Sequence, residues 1–279
     1  MIFVFDLDGT LLHDDKTLST QTRDTIETLK TRGHTVWIAT GRAYETAYPY
    51  AEKLGLSGPI ILNNGALIKS VDGQTIYRQR FIPKDAQKRM IEHNDRHQLP
   101  YALVSEAGIY GPKHHPLSFY RKLRSLHPKT PIQLHEFQDA KTLAHVDTYK
   151  LFTIIEDDVF FNEVLTTMKD SSEAYFTQSM KSYLDMLPYQ TNKGEALEWL
   201  LKHEGYDLSE VIAFGDNDND VQMLNVSRFS YAVNNATILA KKAATDITPL
   251  SNNEDGVAVL IQTWLEMSKE GDLPWQKKL

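Results

Sequence analysis

The sequence predicts an α/β protein whose core is a parallel sheet interrupted by an α+β insertion. Three observations carry that prediction. Short apolar runs recur at Ile2 to Phe5, Thr35 to Ala39 and Val211 to Phe214, and the first, wholly apolar, suits a parallel strand buried on both faces. Segments of helical period lie between such runs, and both ends of the chain share this alternation. The middle of the chain departs from it, with hairpin and helix signals in another order and prolines breaking them up.

Taken in order, Ile2 to Phe5 is a strand that ends abruptly at Asp6. Ser19 to Arg32 follows as a helix, with Thr22, Ile26 and Leu29 on one face, Ser19 as N-cap and Gly33 just past the end. Thr35 to Ala39 is the next strand and completes a βαβ unit. A helix from Tyr44 to Leu54 and a strand from Ile60 to Leu62 repeat the pattern, and Gly65 to Ile82 reads as hairpin material. Lys84 to His97 is helical and ends near Pro100, after which Pro112, Pro116, Pro128 and Pro131 exclude one long helix. A β-rich run from Tyr149 to Ile155, a helix around Phe160 to Lys169 and a strand near Tyr183 to Met186 complete the insertion. Glu195 to His203 is then a helix, Val211 to Phe214 a strand, and Asp220 to Leu224 the start of a further helix. The domains expected from this reading are residues 1–81 with 187–279, and an inserted domain at 82–186.

Composition narrows the function. The 279 residues hold 41% hydrophobic and 24% charged side chains, as ordinary globular domains do, and their length favours two domains. A formal charge of -7, from 37 acidic against 30 basic residues, leaves no electrostatic footprint for nucleic acid or an anionic membrane. An anionic substrate must then meet a local cationic site. With no cysteine, disulfides, thiolate catalysis and cysteine-ligated zinc are excluded, and a reducing cytoplasm fits. The apolar opening run is too short for a signal peptide, no stretch is long enough to span a bilayer, and the matches to the glycosylation pattern at Asn225 and Asn235 are read as chance.

Four segments carry chemistry. Asp6-Leu7-Asp8-Gly9-Thr10 directly follows the first buried strand, so two carboxylates emerge where open α/β sheets bind ligands. Such a pair can divide labour, one attacking or holding a metal and the other moving a proton. Ala39-Thr40-Gly41-Arg42 sits at another strand end, where a hydroxyl and the N–H groups of a helix start can hold phosphate; Thr-Gly is also an ordinary helix entry. Lys193, in Thr191-Asn192-Lys193-Gly194-Glu195, opens a helix and supplies the compact cation a phosphoryl group needs, although most lysines so placed are simply solvated. Gly215-Asp216-Asn217-Asp218-Asn219-Asp220 follows the strand Val211 to Phe214 and offers hard oxygens suited to magnesium. A calcium loop of EF-hand type is excluded, since Val221 and Ser227 stand where it needs Gly and Glu. Each segment alone also reads as a plain turn; it is their coincidence that points to phosphoryl chemistry.

Together, and in this order, the four segments resemble the haloacid dehalogenase superfamily of phosphohydrolases, and the TGR, NNGA and NKGEAL strings resemble its Cof-type (subfamily IIB) branch. The resemblance implies a Rossmann-like doubly wound parallel sheet core, with residues 82–186 as a C2-type α+β cap. It further implies a Mg²⁺-dependent phosphatase acting on small phosphorylated metabolites through an aspartyl-phosphate. Asp6 would be the nucleophile and a metal ligand. Asp8 would bind the metal through its carbonyl and shuttle the proton. Leu7, Thr40, Gly41, Lys193 and Asn219 would hold the phosphate, Asp216 would ligate Mg²⁺, Asp220 would steer Lys193, and Arg42 and Tyr44 would face the cap. Asp218 falls at a variable position and receives no role, and neither do the polar cap residues Tyr110, His114, His115 and Arg121. The motifs leave open a sugar phosphomutase or phosphotransferase with the same nucleophile, and a noncatalytic sensor of a phosphorylated ligand. The substrate and the oligomeric state are not legible in the sequence.

Overall fold

A computed structural model describes residues 1–113, 132–168, 172–180 and 182–267. The first part of the chain forms β1 (Ile2–Phe5), α1 (Thr20–Thr31), β2 (Thr35–Ala39), α2 (Tyr44–Lys53), β3 (Pro59–Leu62), β4 (Leu67–Ser70) and β5 (Ile76–Gln79). The middle supplies α3 (Lys84–Arg96), β6 (Tyr101–Ser105), β7 (Gly108–Pro112), β8 (Leu134–Phe137), β9 (Thr148–Ile154), α4 (Asp158–Met168), β10 (Ala174–Met180) and β11 (Tyr183–Pro188). The last part holds α5 (Lys193–Glu204), β12 (Val211–Gly215), α6 (Val221–Val226), β13 (Phe229–Ala232), α7 (Ile238–Ala243), β14 (Asp246–Ile247) and α8 (Gly256–Met267).

Two sheets organise these elements. One has eight strands in the order β14-β13-β12-β1-β2-β3-β4-β5; the other has six, in the order β10-β11-β9-β6-β7-β8. The chain divides into two compact units, one made of Met1–Thr40, Tyr50–Ile60 and the described residues from Lys193 onward, the other of Gly41–Pro49 and Ile61–Asn192. Residues 82–186 lie within the second unit, which begins earlier in the chain than that span. No helix among the described residues is long and apolar enough to cross a membrane.

In the first unit β1 is central because nothing polar interrupts it. Phe3, Val4 and Phe5 are fully buried, and burying each such side chain contributes roughly 1.5–3 kcal/mol. The strand pairs in parallel with β12 on one side and β2 on the other, Phe5 lying opposite both Phe214 and Ile38. The stacked rings of Phe5, Phe214 and Tyr231, at centroid distances of 5.0 and 5.4 Å, carry the core across three strands. Helix α1 starts as its sequence predicts, the Ser19 hydroxyl accepting the Thr22 N–H at 2.9 Å. Its buried face, Thr22, Thr25, Ile26 and Leu29, adjoins α8, where Gln262 bonds both Gln21 and Thr25.

The second unit packs α3 and α4 on its own sheet. Met90 and Ile91 of α3 and Phe161 and Val164 of α4 share one cluster with Leu103, Leu151 and Leu184. Strands β6, β7, β8 and β10 have no counterpart in the sequence reading, and neither do β13, β14, α7 and α8. Tyr101–Ser105 is buried along its whole length, an apolar run whose signal the neighbouring prolines obscure. β10 is polar enough that its pairing with β11, not its own pattern, makes it a strand. Helix α4 is described to Met168, and Pro116, Pro128, Pro131, His114, His115, Arg121 and Lys169 lie outside the described residues.

Candidate active site

The register of three parallel strands builds the site. Because Phe5 pairs with Phe214, the residues that follow, Asp6 and Gly215-Asp216, leave adjacent strands side by side at their carboxyl ends. The Asp6 N–H still donates to the Phe214 carbonyl at 3.0 Å, which fixes its backbone to β12. The chain then folds tightly over Leu7, whose carbonyl accepts the N–H groups of Thr10, Leu11 and Leu12. Gly9 makes this turn at φ +77°, and a Cβ there would stand 2.3 Å from the Asp216 Oδ2. Glycine is therefore required twice over, by the backbone and by the carboxylate beside it.

Lys193, the first residue of α5, is fully buried, and its ammonium donates to Asp6 Oδ1 and to Asp220 Oδ1, each at 2.6 Å. The other Asp220 oxygen accepts the N–H groups of Asp216 and Asn217 at 2.9 and 3.0 Å. Asp220 thus ties the β12 loop to the lysine. Asp216 accepts the Thr10 hydroxyl at 2.9 Å, a contact to which the sequence reading gave no role although Thr10 closes the first motif. Asp8 pairs with Lys16 at 2.9 Å; nothing in the sequence signals that partner, and both groups are exposed enough for the pair to be worth little. Asp218, left without a role, accepts the Thr237 hydroxyl at 2.7 Å and so anchors the start of α7. Asn219 is buried within the short helical turn before α6.

Thr40 is buried directly after β2. Gly41 and Arg42 belong to the second unit, where the Gly41 carbonyl accepts the Lys150 ammonium at 2.8 Å and Arg42 donates to the Thr46 carbonyl at 3.1 Å.

Charge is crowded at the β1 and β12 ends. Carboxylate oxygens of Asp6, Asp216 and Asp220 all lie within 4.8 Å of one another. Two unit charges at that separation repel by about 3 kcal/mol at an effective dielectric near 20. Burial, helped by the Asp220 and Asp8 charges, pushes the Asp6 carboxyl up to about 7 in spite of Lys193. Asp216 is likewise held well above the usual carboxylate range by burial and by the Asp6 and Asp220 charges. Burial alone would lower the Lys193 ammonium, but Asp220 and Asp6 reverse this and keep it firmly charged. The donor set consists of hard oxygens with an excess of negative charge, and that chemistry fits a divalent cation. Both Asp220 oxygens are engaged, so Asp6 and Asp216 are the carboxylates placed to hold one, and the Asp8 carboxylate is outside the group.

Residues 3–261 match the family model described as haloacid dehalogenase-like hydrolase. The chain is 28% identical over 264 residues to a 5-amino-6-(5-phospho-D-ribitylamino)uracil phosphatase of Bacillus subtilis, covering 95% of each chain. It is 27% identical over 272 residues to the HMP-PP phosphatase of Klebsiella pneumoniae, covering 97% of each. The fold is similar to that of a haloacid dehalogenase-like hydrolase from Bacteroides thetaiotaomicron, with a TM-score of 0.79 and 26% identity over 94% of this chain and 98% of that one. The matched span takes in all four chemical segments, and the chain belongs to the haloacid dehalogenase-like hydrolases, as a phosphoric monoester hydrolase.

Proposed function

We propose that the protein hydrolyses small phosphorylated metabolites, with Mg²⁺ as cofactor and an aspartyl-phosphate on Asp6 as intermediate. The observation that carries this reading is the convergence on Asp6 of a fully buried ammonium at 2.6 Å and a second carboxylate, Asp216, from the neighbouring strand end. Phosphoryl transfer needs alignment and charge neutralisation more than elaborate covalent machinery, and this arrangement offers both.

In the first half-reaction an Asp6 carboxylate oxygen attacks phosphorus, the P–O bond to the leaving group breaks, and Asp8 gives its proton to the departing oxygen. In the second, water attacks the same phosphorus and gives a proton to Asp8, the acyl phosphate bond breaks, and inorganic phosphate leaves with Asp6 restored. Lys193 neutralises phosphoryl oxygens throughout and is held in place by Asp220. Thr40, the Leu7 and Gly41 N–H groups and Asn219 hold the remaining phosphate oxygens. Mg²⁺, held by Asp6, Asp216 and the Asp8 carbonyl, would supply positive charge against the phosphate dianion. Residues 82–186, with Arg42, are read as the part that selects among leaving groups.

A relative whose name specifies a phosphorylated ribitylamino-uracil supports a substrate that is a phosphate ester of a small heterocyclic compound. The test is a panel of such esters and of sugar phosphates with Mg²⁺, with Asp6→Asn as the blank. Release of free phosphate by the native protein, lost in Asp6→Asn, is expected; equal turnover by the variant would overturn the reading.

A further inference from the structure

The second unit holds a buried ion pair that the proposed chemistry does not use. Lys150 on β9 and Asp185 on β11 share one face of the six-stranded sheet, since Asp185 lies opposite Phe152, two residues from Lys150. Lys150 is 7% exposed and Asp185 not at all, and the ammonium lies 3.2 Å from Asp185 Oδ2. The same oxygen accepts the Asn64 amide at 2.9 Å, while Asp185 Oδ1 has no hydrogen-bond partner among the described residues. As a source of stability this is a poor arrangement, because two charges lose their water and one buried acceptor goes unsatisfied.

What the cluster touches gives it another use. Lys150 donates to the Gly41 carbonyl at 2.8 Å, and the Asn63 N–H donates to the next carbonyl, that of Arg42, at 2.9 Å. Asn64 closes the remaining side: a Cβ on Gly41 would come within 2.9 Å of its Oδ1, so that carboxamide rests against the glycine. Asn63 and Asn64 reach these positions with φ of 48° and 56°, a left-handed pair that non-glycine residues adopt at a cost in strain. Two consecutive peptides are thus gripped by their carbonyls, the first by an ammonium that pairs with Asp185 and the second by the Asn63 N–H.

We propose that Lys150, Asp185 and Asn64 are positioning residues that hold Gly41, through its carbonyl and its α-carbon, with its N–H ready to bind the phosphoryl group. The proposal rests on the reading of Thr40 and Gly41 as phosphate donors, and it acts through the chain itself, since Gly41 directly follows Thr40. Lys150 holds the Gly41 carbonyl and so restrains the residue whose N–H is read as a phosphate donor, Asp185 holds the Lys150 ammonium, and Asn64 links that carboxylate to the glycine.

The test compares Lys150→Met, Asp185→Asn and Asn64→Ala with the native enzyme, using p-nitrophenyl phosphate as substrate and inorganic phosphate as competitive inhibitor. The expected result is a rise of about tenfold in both the KM and the phosphate inhibition constant, with a smaller fall in kcat. Lys150→Arg, which keeps a donor, should recover part of the loss. A merely structural role would lower the melting temperature and leave the phosphate inhibition constant where it was, and that outcome overturns the proposal. A KM that rises while phosphate inhibition is unchanged also overturns it, because the cluster would then read the leaving group. If Lys150→Met does not fold, native phosphate affinity in Asp185→Asn refutes the proposal equally well. Failure of the underlying phosphatase reading looks different: Asp6→Asn would then keep its turnover.

Discussion

Lys193 links two carboxylates of the site. It is an ammonium without solvent exposure, held between two carboxylates at 2.6 Å each. Lys193→Met should lower kcat by roughly 10²–10³, the usual effect of removing one preorganised charge stabiliser. It should also destabilise the metal-free protein by about 3–5 kcal/mol, because Asp6 and Asp220 are left buried without their counter-charge. Steady-state kinetics and urea unfolding read these effects separately. Gly9→Ala should remove hydrolysis as well, since its methyl group would occupy the space of the Asp216 carboxylate. Asp6 adds a pH dependence. Its carboxyl is raised to about 7, so the folded metal-free protein holds this proton more tightly than the unfolded chain does. The resulting stabilisation is complete below the ordinary carboxylate range and is lost as pH rises towards and through 7. A cation must displace that same proton, so the increase in melting temperature on adding Mg²⁺ should be larger at pH 8 than at pH 5.5. An increase independent of pH would show that Asp6 does not hold the ion.

At the scale of elements, strand ends and helix starts place the chemistry, and the rest of each element is packing. Ser19 illustrates the separation, since it caps α1 through the Thr22 N–H and is remote in role from the carboxylates. Ser19→Ala should cost about 1 kcal/mol in urea unfolding and leave kcat unchanged. A loss of activity without a loss of stability would contradict that assignment. β1, β2, β12 and α1 were legible because burial on both faces enforces apolar runs and capping enforces Ser19 and Gly33. β10 was not, because an antiparallel strand containing Thr, Gln and Ser is stabilised by its partner β11. β6 carries an apolar run of its own, but Pro100 directly before it reads first as the stop signal of the preceding helix.

For the whole molecule, the six-stranded sheet rests on apolar clusters, and β1 and β12 are apolar and buried along their whole length, so packing without the site's carboxylates sustains both sheets. Chelation with EDTA should therefore abolish hydrolysis and leave the far-ultraviolet circular dichroism intact, with activity returning when Mg²⁺ is restored. Unfolding on chelation would mean that the ion is structural. The sequence by itself determined the α/β class, the four chemical segments and their order, because strand burial and the density of carboxylates are local properties of the chain. Only the tertiary structure decided which groups meet. The parallel register of β1 with β12 brings Asp6 beside Asp216, the start of α5 delivers Lys193 to both Asp6 and Asp220, and a distant strand sends Lys150 to the Gly41 carbonyl. Those partners are separated by up to 210 positions of chain, and no local pattern records contacts that exist only once the sheets have closed.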